Sequence, residues 1–96
     1  METDYLSHFR KQVDIIDNEI LILLKRRSQI SKKIAKLKIE KNMSLFDDER
    51  EIEMYKNITE KSSKMQLSQS FVRKLFQEII ENSKQESLRF KEDSKK

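Results

Sequence analysis

The chain has no glycine, no proline and no cysteine in its 96 residues. Glycine and proline punctuate strands, hairpins and tight turns, so their absence argues against a sheet-rich fold. An all-α chain with a few turns made of polar residues is expected. Without cysteine there are no disulfides, no thiolate chemistry and no cysteine-based zinc site. The single histidine, His8, stands without a clear carboxylate partner or nucleophile. It reads as a surface residue, and neither a metal site nor a serine-type triad is expected. No apolar run is long enough to span a bilayer and no signal peptide is recognisable, so a cytoplasmic protein with no membrane contact is expected. Hydrophobic residues are scarce as well, at 35% against 40% charged. That composition lies near the border of disorder, and so short a chain buries a thin core alone. Either the apolar residues are placed economically or a partner chain completes the core.

What the chain does have is charge, unevenly spread. Its formal net charge is +4, and the excess sits in residues 25–41. There Lys25, Arg26, Arg27, Lys32, Lys33, Lys36, Lys38 and Lys41 face only Glu40. Such a stretch suits an anionic partner: nucleic acid, an acidic protein or a small polyanion.

Residues 4 to about 41 read as one helix. Leu6, Phe9, Val13, Ile16, Ile20, Leu23, Ile30, Ile34 and Leu37 step by three and four, the spacing of a heptad seam. At ~1.5 Å per residue this helix is roughly 55 Å long, more than one short chain covers, so a second copy is expected along it. The seam calls for an apolar residue at 27 and holds Arg27 instead. A polar residue in a seam can fix register; alternatively, Arg27 faces an anion-binding cavity. Lys38 lies on nearly the same face, with its attachment point ~16 Å away, so the two side chains can converge on a small ligand. Arg10 lies ~25 Å from Arg27 along the rod. It reaches such a ligand only from an antiparallel partner.

A second helix is expected to start at Asp47-Asp48-Glu49-Arg50-Glu51, where acidic residues suit the positive end of the dipole. Asp48 and Glu51 have capping-box spacing, and the helix fades near Lys61, before a turn at 62–67. Ser68 is the expected N-cap of a third helix reaching about Phe90. Its apolar stripe, Phe71/Val72, Leu75/Phe76 and Ile79/Ile80, gives way to Ser83 and Ser87. Those serines mark either a solvated end or a functional one. Residues 1–90 are expected to form a single domain, with 91–96 a charged, disordered tail.

Taken in order, these features resemble the all-helical chorismate mutase family over nearly the whole chain. The carriers are Phe9-Arg10, Val13, Ile16-Asp17, Ile20, Leu23-Leu24, Arg27, Ile30, Ile34 and Lys38 in the first helix. Asp47-Asp48-Glu49-Arg50-Glu51 follows, then Phe71-Val72 and Leu75-Phe76-Gln77-Glu78-Ile79-Ile80, with Ser83. The resemblance implies three helices per chain in an intertwined antiparallel homodimer that rearranges chorismate to prephenate, with no cofactor and no metal. Arg27, Lys38, Asp47, Arg50, Glu51 and Ser83 would share one site, with Arg10 entering from the other subunit. By this analogy Arg10 and Arg27 clamp the carboxylates, and Lys38 addresses the ether oxygen and a carboxylate. Glu51 and the Asp47 backbone hold the ring hydroxyl, while Ser83 and Arg50 seat the ring carboxylate. Catalytic roles fall to Lys38, Arg27, Glu51 and Ser87. The family usually places Gln, or in some members Glu, where this chain has Ser87, to donate a second hydrogen bond to the ether oxygen. A serine there is shorter and reaches through water.

Other functions fit some of the same residues. Isochorismate-pyruvate lyases and aminodeoxychorismate mutases are similar and use much the same basic clamp. Ser87 would also suit a weakly active or inactive descendant that regulates another shikimate-pathway enzyme. A helical module binding nucleic acid through residues 25–41 has neither interleaved aromatics nor a recognition-helix motif, and it leaves Arg27 unexplained; no nucleic-acid partner is expected.

Overall fold

The computed structural model describes residues 2–95, and side chains from Asp4 onward. Three helices occupy nearly all of it: α1 (Glu2–Glu40), α2 (Asp48–Lys64) and α3 (Gln69–Ser94). The all-α class expected from the missing glycine and proline is thus observed. The chain divides into two units, one up to Ile30 and one from Ser31 onward.

The first unit is the leading part of α1. Nothing in its sequence interrupts the hydrogen-bond ladder, so it runs as unbroken helix. Its seam is open: Phe9 is 57% exposed, Ile16 53% and Leu23 55%. Leu6, Val13, Ile20 and Ile30 are exposed along the same face.

The second unit holds the last turns of α1 with α2 and α3, and α2 packs against α3. Its buried apolar positions are Ala35 and Ile80. Ser62 is buried too, with its hydroxyl donating to Thr59 O at 2.9 Å, so no lone polar group is sealed in. Arg73 stacks its guanidinium 5.2 Å from the centre of the Tyr55 ring, a contact that ties α3 to α2.

The turns show how a chain without glycine ends its helices. After α1, Asn42 takes φ 55°, Met43 N–H donates to Lys38 O at 2.8 Å and Asn42 N–H to Ile39 O at 3.2 Å. After α2, Gln66 takes φ 60°, Leu67 N–H donates to Ser62 O at 2.9 Å and Gln66 N–H to Ser63 O at 3.1 Å. Both are Schellman closures, in which a left-handed residue turns the chain back onto the last free carbonyls. Asparagine tolerates that conformation, whereas glutamine adopts it at a steric cost.

Three boundaries differ from the sequence expectation. Asp47, not Asp48, caps α2: its carboxylate accepts from Arg50 N–H at 3.1 Å. The capping acceptor must precede the first helical residue, and the helix begins at Asp48. Helix α2 runs to Lys64 rather than fading near Lys61. Helix α3 begins as expected, with Ser68 Oγ accepting from Phe71 N–H at 3.3 Å, but continues through Ser94 rather than stopping near Phe90. Most of the segment expected to be a loose tail is therefore helical; Lys96 lies outside the described residues.

Candidate functional site

The second unit gathers polar residues at the start of α2. Lys38, in the last turn of α1, is half-buried and donates from Nζ to Leu45 O at 3.4 Å. That bond is long for an ammonium donor. The Schellman closure at Asn42 turns the chain sharply, and the following Ser44 hydroxyl donates to Phe46 O at 3.1 Å and accepts from Phe46 N–H at 3.3 Å. This small knot leads directly into Asp47. Lys38 and Asp47 are thereby tied to one short loop, one by a side-chain bond and the other through the backbone.

Asp47 has its carboxylate committed to capping α2. Glu51, one turn into α2, reaches across to α3 and meets Lys84: Oε1 lies 2.9 Å and Oε2 2.8 Å from Nζ. The bridge brings the start of α2 to the stretch of α3 that carries Ser83 and Ser87. Ser83 is half-buried and donates from Oγ to Ile79 O at 3.0 Å. Ser87 is half-buried one turn further on. Near it, Glu86 accepts from Asn82 Nδ2 at 2.7 Å.

Arg50 stands apart. Its Nη1 pairs with Glu53 Oε1 at 3.3 Å on its own helix, with both side chains well exposed. An i,i+3 pair in open solvent is weak, so the guanidinium is held loosely. Arg10 and Arg27 belong to the first unit, where Arg10 is exposed and Arg27 half-buried.

One participant, Lys84, was missed from sequence. Lys84 follows Ser83 directly, and its ammonium stands 5.8 Å from the centre of the Phe46 ring as well as on Glu51. Its pKa is raised above the ordinary lysine value, chiefly by the hydrogen bond to Glu51 and against some desolvation, with the charges of Glu51, Glu81 and Asp48 adding to the rise. The sequence signal was there: Phe76, Ile80 and Lys84 step by four, so the third is a cation standing on the apolar stripe.

A separate groove of about 440 Å³ is lined by Ile52, Tyr55, Lys56, Thr59, Glu60 and Arg73. It contains none of the residues expected in the site. Among the described residues no cluster of His, Asp and Glu is placed to hold a metal ion, and no helix is long and apolar enough to cross a membrane.

The protein is thus all-helical, with ammonium, carboxylate and hydroxyl groups gathered around the start of its second helix. The chain belongs to the chorismate mutase type II family, whose model matches residues 9–87. The chorismate mutase of Methanocaldococcus jannaschii is 33% identical over 79 residues, spanning 82% of this chain and 80% of that protein. Two bifunctional chorismate mutase/prephenate dehydratases of Buchnera aphidicola, from the subspecies Baizongia pistaciae and Acyrthosiphon pisum, are 36% and 39% identical. They align over 81% and 78% of this chain but 21% and 20% of their own length. The chain thus spans about a fifth of those bifunctional relatives.

Proposed function

We propose that the chain is a chorismate mutase that converts chorismate to prephenate. The observation that carries this is the family match over residues 9–87, a span that contains every residue expected in the site. The reaction breaks an ether C–O bond and forms a C–C bond within one molecule, so it calls for no nucleophile and no proton transfer. What accelerates it is holding the compact conformer and placing positive charge where the ether oxygen becomes negative. Lys38 supports that role, since its long bond to Leu45 O leaves the ammonium easily redirected. Arg27 and Arg10 supply guanidinium forks for the two carboxylates. Glu51 accepts from the ring hydroxyl beside the Asp47 backbone, and Ser83, with Arg50 drawn off Glu53, seats the ring carboxylate. Ser87 faces the ether oxygen through water.

The working unit is an antiparallel homodimer with Arg10 supplied in trans. The open seam of the first unit supports this, for a helix face with Phe9, Ile16 and Leu23 all more than half exposed is unfavourable in water. A second copy offers the same seam, and self-complementary pairing is the commonest way to cover one. Bifunctional relatives pair a mutase with a prephenate dehydratase by name, so an enzyme that consumes prephenate is a fitting partner for this chain.

Purified chain mixed with chorismate should remove the substrate's diene absorbance and yield prephenate. Ser87→Gln, assayed beside it, is expected to raise kcat by about tenfold or more, since one preorganised donor at a developing oxyanion is worth ~3 kcal/mol and water recovers only part of it. No conversion by the unmodified chain would refute the proposed activity, whatever Ser87→Gln does.

A further inference from the structure

Glu51 does not stand alone. Lys84 contacts both its carboxylate oxygens, at 2.9 Å and 2.8 Å, and lies 5.8 Å from the centre of the Phe46 ring. One side chain thus ties together the loop before α2, the first turn of α2 and the polar end of α3. Exposed ion pairs contribute little, but this one is sheltered: the two side chains keep 30% and 22% of their exposure. Contact with both oxygens also fixes the tilt of the carboxylate, which contact with one does not. Lys84 sits four residues after the buried Ile80 and three before Ser87, so it shares their helix face. Glu81 on α3 and Asp48 on α2 are the other charged groups that favour its ammonium form.

We propose that Lys84 is a positioning residue that clamps Glu51 in the orientation needed to accept from the substrate's ring hydroxyl. This rests on the reading of the site as a chorismate site. An ionised carboxylate has about four lone-pair positions. Two of them engage Lys84, and the remaining pair form a preoriented acceptor. Released from Lys84, Glu51 samples several rotamers and loses that preorganisation. The hydroxyl takes no part in the bond changes, so its acceptor serves the ground state and the transition state alike. Loss of the clamp therefore appears in KM and not in kcat.

The test uses the full chain with Lys84→Met, Lys84→Arg, Glu51→Ala and the Lys84→Met/Glu51→Ala double variant, each assayed with chorismate and melted by circular dichroism. Lys84→Met is expected to raise KM about tenfold with kcat held within about threefold. Lys84→Arg, which keeps a cation able to span two carboxylate oxygens, restores KM. In the double variant the Lys84 change adds nothing to the loss from Glu51→Ala, because there is no carboxylate left to hold. If Lys84→Met fails to fold, Lys84→Gln serves the same comparison. An unchanged KM in Lys84→Met, or losses that simply add in the double variant, would overturn the clamp while leaving the mutase activity standing. Failure of the unmodified chain to turn over chorismate would overturn both.

Discussion

Residues up to Ile30 and those from Ser31 onward both expose apolar side chains but differ in what their polar groups do. The first unit carries a regular apolar seam and leaves it uncovered. Among its described apolar residues the second buries only Ala35 and Ile80, yet it links its polar side chains one after another: Lys38 to Leu45, Asp47 to Arg50, Glu51 to Lys84, Ser83 to Ile79. The contrast teaches that the two stretches answer to different requirements. A seam of one helix is useful only against another surface. A network of short polar contacts is useful only if its geometry is kept, and capping, turn closure and one cross-helix ion pair keep it here.

Disabling one group in each unit separates their roles most clearly. Lys38→Ala and Arg10→Ala should each lower kcat/KM by about a thousandfold, the loss of ~4 kcal/mol expected when a charged contact to the transition state is removed. If Arg10 serves the partner's site and Lys38 its own, mixing the two inactive variants restores one intact site in each mixed dimer. With random pairing, activity recovers to about a quarter of the unmodified level. No recovery after refolding the variants together would show that Arg10 acts within its own chain.

A smaller effect tests the seam itself. Leu23→Asp places a carboxylate on the uncovered face of α1 and should weaken association by about 3 kcal/mol or more, because that charge would be buried between copies. Sedimentation should then show a shift to monomer together with a lower melting temperature. The reciprocal change in the second unit, at an exposed lysine such as Lys56, should leave the mass unchanged. A dimer that tolerates Leu23→Asp would mean that the seam is not the interface.

The smallest effect concerns the turns. Gln66 holds φ 60° at the end of α2, a conformation that glycine adopts freely. Gln66→Gly should stabilise the chain by about 1 kcal/mol, read as a higher midpoint in urea. Asn42→Gly should give less, since asparagine already tolerates that conformation. Equal gains at the two positions would show that side-chain contacts, not backbone strain, set the cost.

Much of this protein was legible from its residues alone. Missing glycine and proline, the three-and-four stepping of α1 and the Ser68 cap fixed the class and the number of helices, because each depends on neighbours within about one turn. The family likeness was equally readable, since Arg27, Lys38, Glu51 and Ser83 keep their intervals along the chain. Helix ends were read less well. Whether Asp47 or Asp48 caps α2 depends on which backbone turns first, and the Lys61–Lys64 turn stays helical where composition suggested a loop.

Tertiary structure alone decided the partner of Glu51. Glu51 and Lys84 are 33 residues apart, and only the packing of α2 on α3 brings them into contact. Arg50, one residue before Glu51, turns instead to Glu53 on its own helix. Sequence periodicity names the face a side chain occupies; it carries no information on what the facing helix presents there. That is why the helices could be read from the chain itself, while the clamp on Glu51 required the fold.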